Sequence, residues 1–207
     1  MVRGCLPSLN RALYTKKALH FNPESTLTPI DEQEQQVIDR LRNGDSRAAD
    51  IVVERYKRPL FAFVFRMVND QAVAEDIFQE TWLRVVRSLH RFRGDARFST
   101  WLFQIALNLC RDWIRQKSGR TFIPFDDIEE PSCEPDVDPE RMMRAEAVRQ
   151  LLNELPEKMR EVIILKFYHD LDDQEIATTV GCPVGTVKTR CHRAIKILSK
   201  KWELRFS

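Results

Sequence analysis

Apolar residues recur along this chain at helical spacing, and no strand-like alternation appears anywhere. Tyr56, Leu60, Val64, Met67 and Val68 share one helical face, and Val73, Ile77, Val85 and Leu89 share another. Asn69-Asp70 predicts the break between these two helices. Arg93-Gly94-Asp95 separates the second from a third, over about Ser99 to Gln116. In that third helix Leu102, Ile105, Leu109 and Trp113 line the apolar face, and Trp101 is assigned to packing with Trp113. A shorter helix, about Asp31 to Asn43, comes first and stops at Gly44. Three longer helices with short connections make a bundle of about seventy residues.

The stretch from Ser118 to Pro139 has a different composition. It holds Pro124, Pro131, Pro135 and Pro139 and too little apolar surface to order itself, so it reads as a linker. A second helical domain follows, from about Glu140 to Leu204, with Pro156 suited to the first turn of a helix. Within it, Asp172 and Glu175 have capping-box spacing, and Leu171 and Ile176 are placed as a hydrophobic staple. The short helix they start ends near Val180, with Gly181 as the turn residue and Pro183 opening the next helix. Val184, Val187, Cys191, Ile195 and Leu198 point that helix toward a core. Ala177, Gly181 and Val187 have the small-glycine-aliphatic spacing of two helices that cross closely. The predicted fold is all-α: two small helical domains joined by a flexible acidic linker. Residues 1–30 form a flexible extension with Pro7, Pro23 and Pro29, residues 31–117 the first domain, 118–139 the linker and 140–207 the second domain.

Composition alone is bland, with a formal net charge of +2, but the charge is segregated. The balance from Arg84 to Lys117 is +6, from Thr121 to Glu140 it is −8, and from Val184 to Ser207 it is again +6. Two basic blocks around an acidic one predict two nucleic-acid-facing surfaces and a spacer. The five cysteines are odd in number and irregularly spaced, which fits a reduced cytoplasmic chain. Cys182, Cys191 and His192 lack the paired spacing of a zinc site, so neither a metal nor a cofactor is expected. No apolar run reaches membrane-spanning length, and no signal-peptide apolar core is present at the N-terminus. The four histidines are scattered, and no nucleophile–base or phosphate-loop pattern appears, so the chain does not read as an enzyme.

Two constellations carry chemistry. Outside the core face of the last helix lie Thr186, Lys188, Thr189, Arg190, His192 and Arg193. In a helix-turn-helix such a helix enters the major groove. Its cations can donate to guanine acceptors, and Thr189 can meet a thymine methyl. In the first domain, Gln104, Asn108, Arg111 and Arg115 recur at four-three-four spacing as one polar, basic face, beside a loop with Arg91, Arg93, Arg97 and Phe98. Cations that track phosphates and aromatics that stack on bases suit single-stranded DNA. The plainer readings are a solvated basic face on a helical hairpin, and core packing for Phe98.

The segments Ala74-Glu75-Asp76-Ile77-Phe78-Gln79-Glu80-Thr81-Trp82, Phe92-Arg93-Gly94 with Thr100-Trp101-Leu102, and Cys182-Pro183-Val184-Gly185-Thr186-Val187-Lys188 resemble bacterial RNA polymerase sigma factors of the extracytoplasmic-function (ECF) class. The resemblance covers about Asp45 to Leu204. It implies that the first domain is sigma region 2 and the second sigma region 4. Asp76, Gln79, Glu80, Leu83 and Arg87 would grip the clamp helices of the largest polymerase subunit, and region 4 would meet the flap of the second-largest subunit. Arg91, Arg93, Arg97, Phe98, Asn108, Arg111 and Arg115 would open and hold the minus-10 element. Thr186, Lys188, Thr189, Arg190, His192 and Arg193 would read the minus-35 duplex. An anti-sigma factor is the further partner the class implies, with the chain monomeric when free. Cys191 stands where the family often has a bulky apolar residue, and His192 where its residues vary, so base preference does not transfer. The N-terminal extension is longer than such factors need, and the acidic linker replaces the intermediate domain of larger sigma factors. Its acidity predicts passage through the polymerase channel without competition for the template. Two rivals are a duplex-binding regulator that ignores polymerase and a sigma-mimicking adaptor that never touches DNA.

Overall fold

The computed structural model describes residues 32–118 and 139–206, and every regular element among them is helical. The order is α1 (Glu32–Arg42), α2 (Ser46–Val68), α3 (Gln71–Ser88), a 3-10 turn (Leu89–Arg91), α4 (Phe98–Ser118), α5 (Pro139–Asn153), α6 (Glu157–Tyr168), α7 (Asp173–Val180) and α8 (Val184–Phe206). The expected N-terminal extension and almost all of the acidic linker lie outside the described residues.

The boundaries follow local chemistry. Gly44 stops α1 with φ +85°, a conformation that L side chains resist. Asp45 caps α2 by accepting from the Arg47 N–H at 2.9 Å, and Asn69 ends it in the left-handed region with φ 51°. Asp70 then caps α3, accepting from the Val73 N–H at 3.2 Å. Pro156 sits at the N-cap of α6, one position before the first turn that its spacing predicts.

The faces read from periodicity form the core of the first bundle. Tyr56, Leu60, Val64, Met67, Val68, Ile77, Val85, Leu102 and Leu109 are buried. Val73, Leu89, Ile105 and Trp113 are partly buried against them. The loop after the 3-10 turn is sealed by an aromatic cluster, with Phe98 packed on Tyr56 at 5.4 Å and on Phe92 at 5.7 Å between ring centroids.

The larger departure from the sequence expectation concerns the two domains, which pack on each other around a continuous core. On α6, Val162, Ile163, Ile164 and Leu165 are all fully buried. Four consecutive buried residues point to every side of a helix, so α6 needs partners all round. It packs against α7 and α8 of its own domain and against α2 of the other. Helix α4 likewise packs on α7. The contact uses a second apolar stripe on α4, Phe103, Leu107 and Cys110, which are fully buried and which the two-face reading of that helix assigns to neither side.

Candidate nucleic-acid interface

The helix-turn-helix is built as its spacing predicts. One Asp172 carboxylate oxygen accepts from the N–H groups of Gln174 and Glu175, both at 2.8 Å, and Glu175 accepts from the Asp172 N–H at 2.9 Å. Leu171 and Ile176, the staple pair, are both buried. Gly181 ends α7 with φ +73° and its N–H on the Ala177 carbonyl at 2.9 Å. Space around its missing Cβ is open, so glycine is required there by the turn and not by a close helix crossing.

Val187, Cys191, Ala194, Leu198 and Trp202 anchor α8 in the core. Burial pushes the Cys191 thiol upward, and it packs as a small neutral group. The Cys191 departure therefore falls on packing, and His192 is left as the exposed departure on the reading face. Lys188, Thr189, His192 and Arg193 are exposed, while Thr186 and Arg190 are half-buried. Arg190 leans on the Cys182 sulfur at 3.6 Å. The Thr189 hydroxyl donates to the Gly185 carbonyl at 2.9 Å, which leaves its methyl and acceptor lone pairs for a partner.

The second face differs from its prediction. Arg111 is not free on a basic surface. Its guanidinium makes a two-pronged ion pair with Glu161 of α6, at 2.7 Å for each prong, and donates to the Val180 carbonyl at 3.2 Å. The Glu161 carboxylate holds the Arg111 pKa above its ordinary value, and the Glu161 side chain is 0% exposed. Arg97 pairs with Glu175 of α7 at 2.9 Å, and Gln104 donates to the Thr178 carbonyl at 3.5 Å. Phe98 is 3% exposed in the aromatic cluster, which corrects its expected role as a stacking platform: the ring faces the core, as the packing alternative holds. Arg91, Arg93, Asn108 and Arg115 remain exposed, Arg115 paired with Asp112.

Beside these contacts His169 is fully buried, with its ring 5.6 Å from Phe63 and 4.7 Å from Phe103, both in the first domain. Neither ring nitrogen has a hydrogen-bond partner. Burial, and secondarily the Arg66 charge, holds its pKa well below the ordinary histidine value, so the ring is neutral.

A third surface lies on α3. Asp76, Gln79, Leu83 and Arg87 are exposed, and Glu80 pairs with Arg84 at 2.9 Å. Leu83 is 50% exposed and Val86 74%. Sequence reasoning missed Val86, although its place three residues after Leu83 puts it on the polar side of the helix. The two apolar side chains thus lie in water beside the charged residues of the same helix.

Family comparisons match these elements in order. The sigma-70 region 2 model matches residues 52–120, which include the α3 strip and all of α4. The sigma-70 region 4 model matches residues 145–198, which include the helix-turn-helix. The RNA polymerase sigma-H factor of Pseudomonas aeruginosa is 35% identical over 182 residues, covering 82% of this chain and 93% of the relative. The ECF RNA polymerase sigma-E factor of Escherichia coli K12 is 32% identical over 181 residues, covering 81% and 93%. Among solved structures, CnrH in complex with the cytosolic domain of CnrY shares the fold, with a TM-score of 0.65 and 23% identity over 83% of this chain and 97% of that one. The sigma factor RpoE in complex with the anti-sigma factor NepR, from Bartonella quintana, gives a TM-score of 0.62 and 25% identity over 74% and 96%. A capped helix-turn-helix behind a region 2 bundle, matched over most of both chains by curated relatives, makes this protein a member of the ECF sigma factors, which are DNA-binding transcription initiation factors and not enzymes.

Proposed function

We propose that the chain brings core RNA polymerase to a defined set of promoters through a two-point grip. The α3 strip of Asp76, Gln79, Glu80, Leu83, Val86 and Arg87 docks on the clamp helices. Arg91, Arg93, Arg97, Asn108, Arg111 and Arg115 hold the melted minus-10 strand, and Thr186, Lys188, Thr189, Arg190, His192 and Arg193 read the minus-35 duplex. The observation that carries this reading is the pairing, on one chain, of an exposed basic helix behind a capped turn with the exposed Leu83 and Val86 on α3.

The grip requires reach. Minus 10 and minus 35 lie about 25 base pairs apart, roughly 85 Å of duplex at about 3.4 Å per step. The roughly twenty residues between Ser118 and Pro139 span at most about 70 Å when extended, and the domains supply the rest. Domains in mutual contact cannot hold both elements, so promoter engagement requires them to part. The chain acts in the cytoplasm, where its polymerase is, and is monomeric when free. An anti-sigma factor controls it, a reading supported by the RpoE–NepR complex.

In vitro transcription with purified core polymerase across a genomic promoter library tests the proposal. The expected result is core-dependent transcripts from promoters that share an upstream element. Duplex binding by the isolated chain, with no stable core complex and no transcripts, would instead identify a stand-alone regulator.

A further inference from the structure

We infer that Gly185 and Thr189 form a low floor on the outer face of α8 that seats the 5-methyl group of a thymine in the upstream duplex. This rests on the reading of α8 as the helix that enters the major groove, and it adds a base preference to that reading.

Gly185 is the glycine that the fold does not explain. Among the described residues, Gly44, Gly94 and Gly181 hold φ of +85°, +81° and +73°, which accounts for glycine at each. Gly185 has no such conformation. It lies in the first turn of α8, exposed, and a Cβ there would meet nothing within 4 Å. Alanine fits that helical backbone and restricts the unfolded chain more, so glycine costs stability at this position. What the missing Cβ supplies is room on the outer surface of the helix, for a group that is not part of the chain.

The neighbours give that room a shape. Thr189 lies one turn further along the same face, and its hydroxyl turns back to donate to the Gly185 carbonyl at 2.9 Å. The pair therefore presents a Cα and a methyl group, with no free side-chain donor. Lys188 and Arg193 flank this floor on either side, and His192 and Lys196 follow on the next turns, all four exposed. Arg190 falls to one flank, against the Cys182 sulfur at 3.6 Å.

That shape selects among base edges. In a helix-turn-helix the first residues of the second helix meet the base pairs. Every base pair offers hydrogen-bonding groups to the major groove, and thymine alone adds an apolar methyl. A floor that is apolar and has its hydroxyl proton committed within the helix suits the methyl. The donors of Lys188 and Arg193 beside it suit the guanine acceptors or phosphates of neighbouring steps.

The test pairs a methyl removed from the DNA with a methyl added to the protein. It uses holoenzyme assembled with purified core polymerase, on a promoter recovered by the transcription assay above. Each thymine of the upstream element is replaced in turn by deoxyuridine, which lacks the methyl and keeps the pairing. At one position the replacement should weaken promoter binding by the parent roughly three- to four-fold, the effect of burying one such group. Gly185→Ala should raise the folding equilibrium constant roughly two- to five-fold, yet weaken binding of the thymine promoter about ten-fold, as a mismatched base pair does. Deoxyuridine at that same position should recover most of the loss, because the DNA methyl and the new Cβ compete for one space. An equal loss on the thymine promoter and on every deoxyuridine promoter overturns the methyl seat. So does a parent indifferent to every replacement, and so does a lower folding stability of Gly185→Ala, which would show that the fold itself needs the glycine. Arg193→Ala separates this outcome from the reading beneath it. If Arg193→Ala and Gly185→Ala both leave promoter binding unchanged, α8 does not read the duplex. If Arg193→Ala weakens binding and Gly185→Ala does not, the reading stands and the thymine seat alone is lost.

Discussion

At the scale of single residues, the helix-turn-helix separates what the fold needs from what recognition needs. Gly181 holds φ +73° with open space where a Cβ would stand. Gly181→Ala should therefore cost about 1 kcal/mol from backbone strain alone. A denaturant titration should show a lower midpoint with an unchanged slope; no shift in midpoint would mean the turn relaxes freely. Arg193 is exposed with no structural contact that its loss would disturb, whereas Arg190 also leans on Cys182. Arg193→Ala is thus the cleaner probe of recognition. It should weaken upstream-element binding and lower the log–log salt dependence by about one. Footprints of the core-bound chain on a cognate promoter, taken across a salt series, would show this, and an unchanged slope would remove Arg193 from the interface.

At the scale of elements, exposed apolar residues become informative once the helix faces are known. Val86 at 74% exposure contributes almost nothing to folding, so Val86→Ser should leave stability within about 0.5 kcal/mol. If α3 docks on polymerase, the same change should reduce competition for core by more than about 1 kcal/mol. Asp76→Ala with Glu80→Ala should do likewise without unfolding the bundle, and core affinity matching the parent for all three substitutions would place the docking surface elsewhere. Helix α3 was legible because its single apolar face obeys one period. Helix α4 was not: reading it as two-faced accounts for Leu102, Ile105, Leu109 and Trp113 but leaves Phe103, Leu107 and Cys110 without a role. Those three recur at i, i+4 and i+7, and that second stripe was the available signal that α4 has two apolar partners. The four-residue apolar run Val162 to Leu165 carried the same message for α6, since a helix apolar all round belongs at the centre of a core.

At the scale of the whole molecule, local sequence patterns identified both domains but not their contact, because contact between distant segments leaves no period within either one. The contact combines apolar burial with a largely buried ion pair. The net worth of such a pair is small, because desolvation offsets the Coulomb gain, so the apolar stripe supplies the stability and Arg111–Glu161 fixes the register. The burial of His169 between the domains predicts that closure depends on pH. In the closed state its ring lies between Phe63 and Phe103 without hydrogen-bond partners, and burial and the Arg66 charge keep it neutral. Once the domains part or unfold, the ring regains a pKa near 6.5. Above that value the ring is neutral in both states and closure is unaffected. Below it the opened or unfolded chain takes up a proton that the closed chain refuses. Closure then weakens by about 1.4 kcal/mol per pH unit until the depressed closed-state value is reached. Other groups also titrate in acid, so the quantity to measure is a difference. Unfolding free energy and radius of gyration, followed from pH 7.5 to pH 5 in the parent and in His169→Phe, should run parallel at the upper end and diverge below about pH 6.5. Only the parent should then lose stability and expand with the added slope. Parallel curves across the whole range would mean that His169 is solvated and that the two domains are not held together around it.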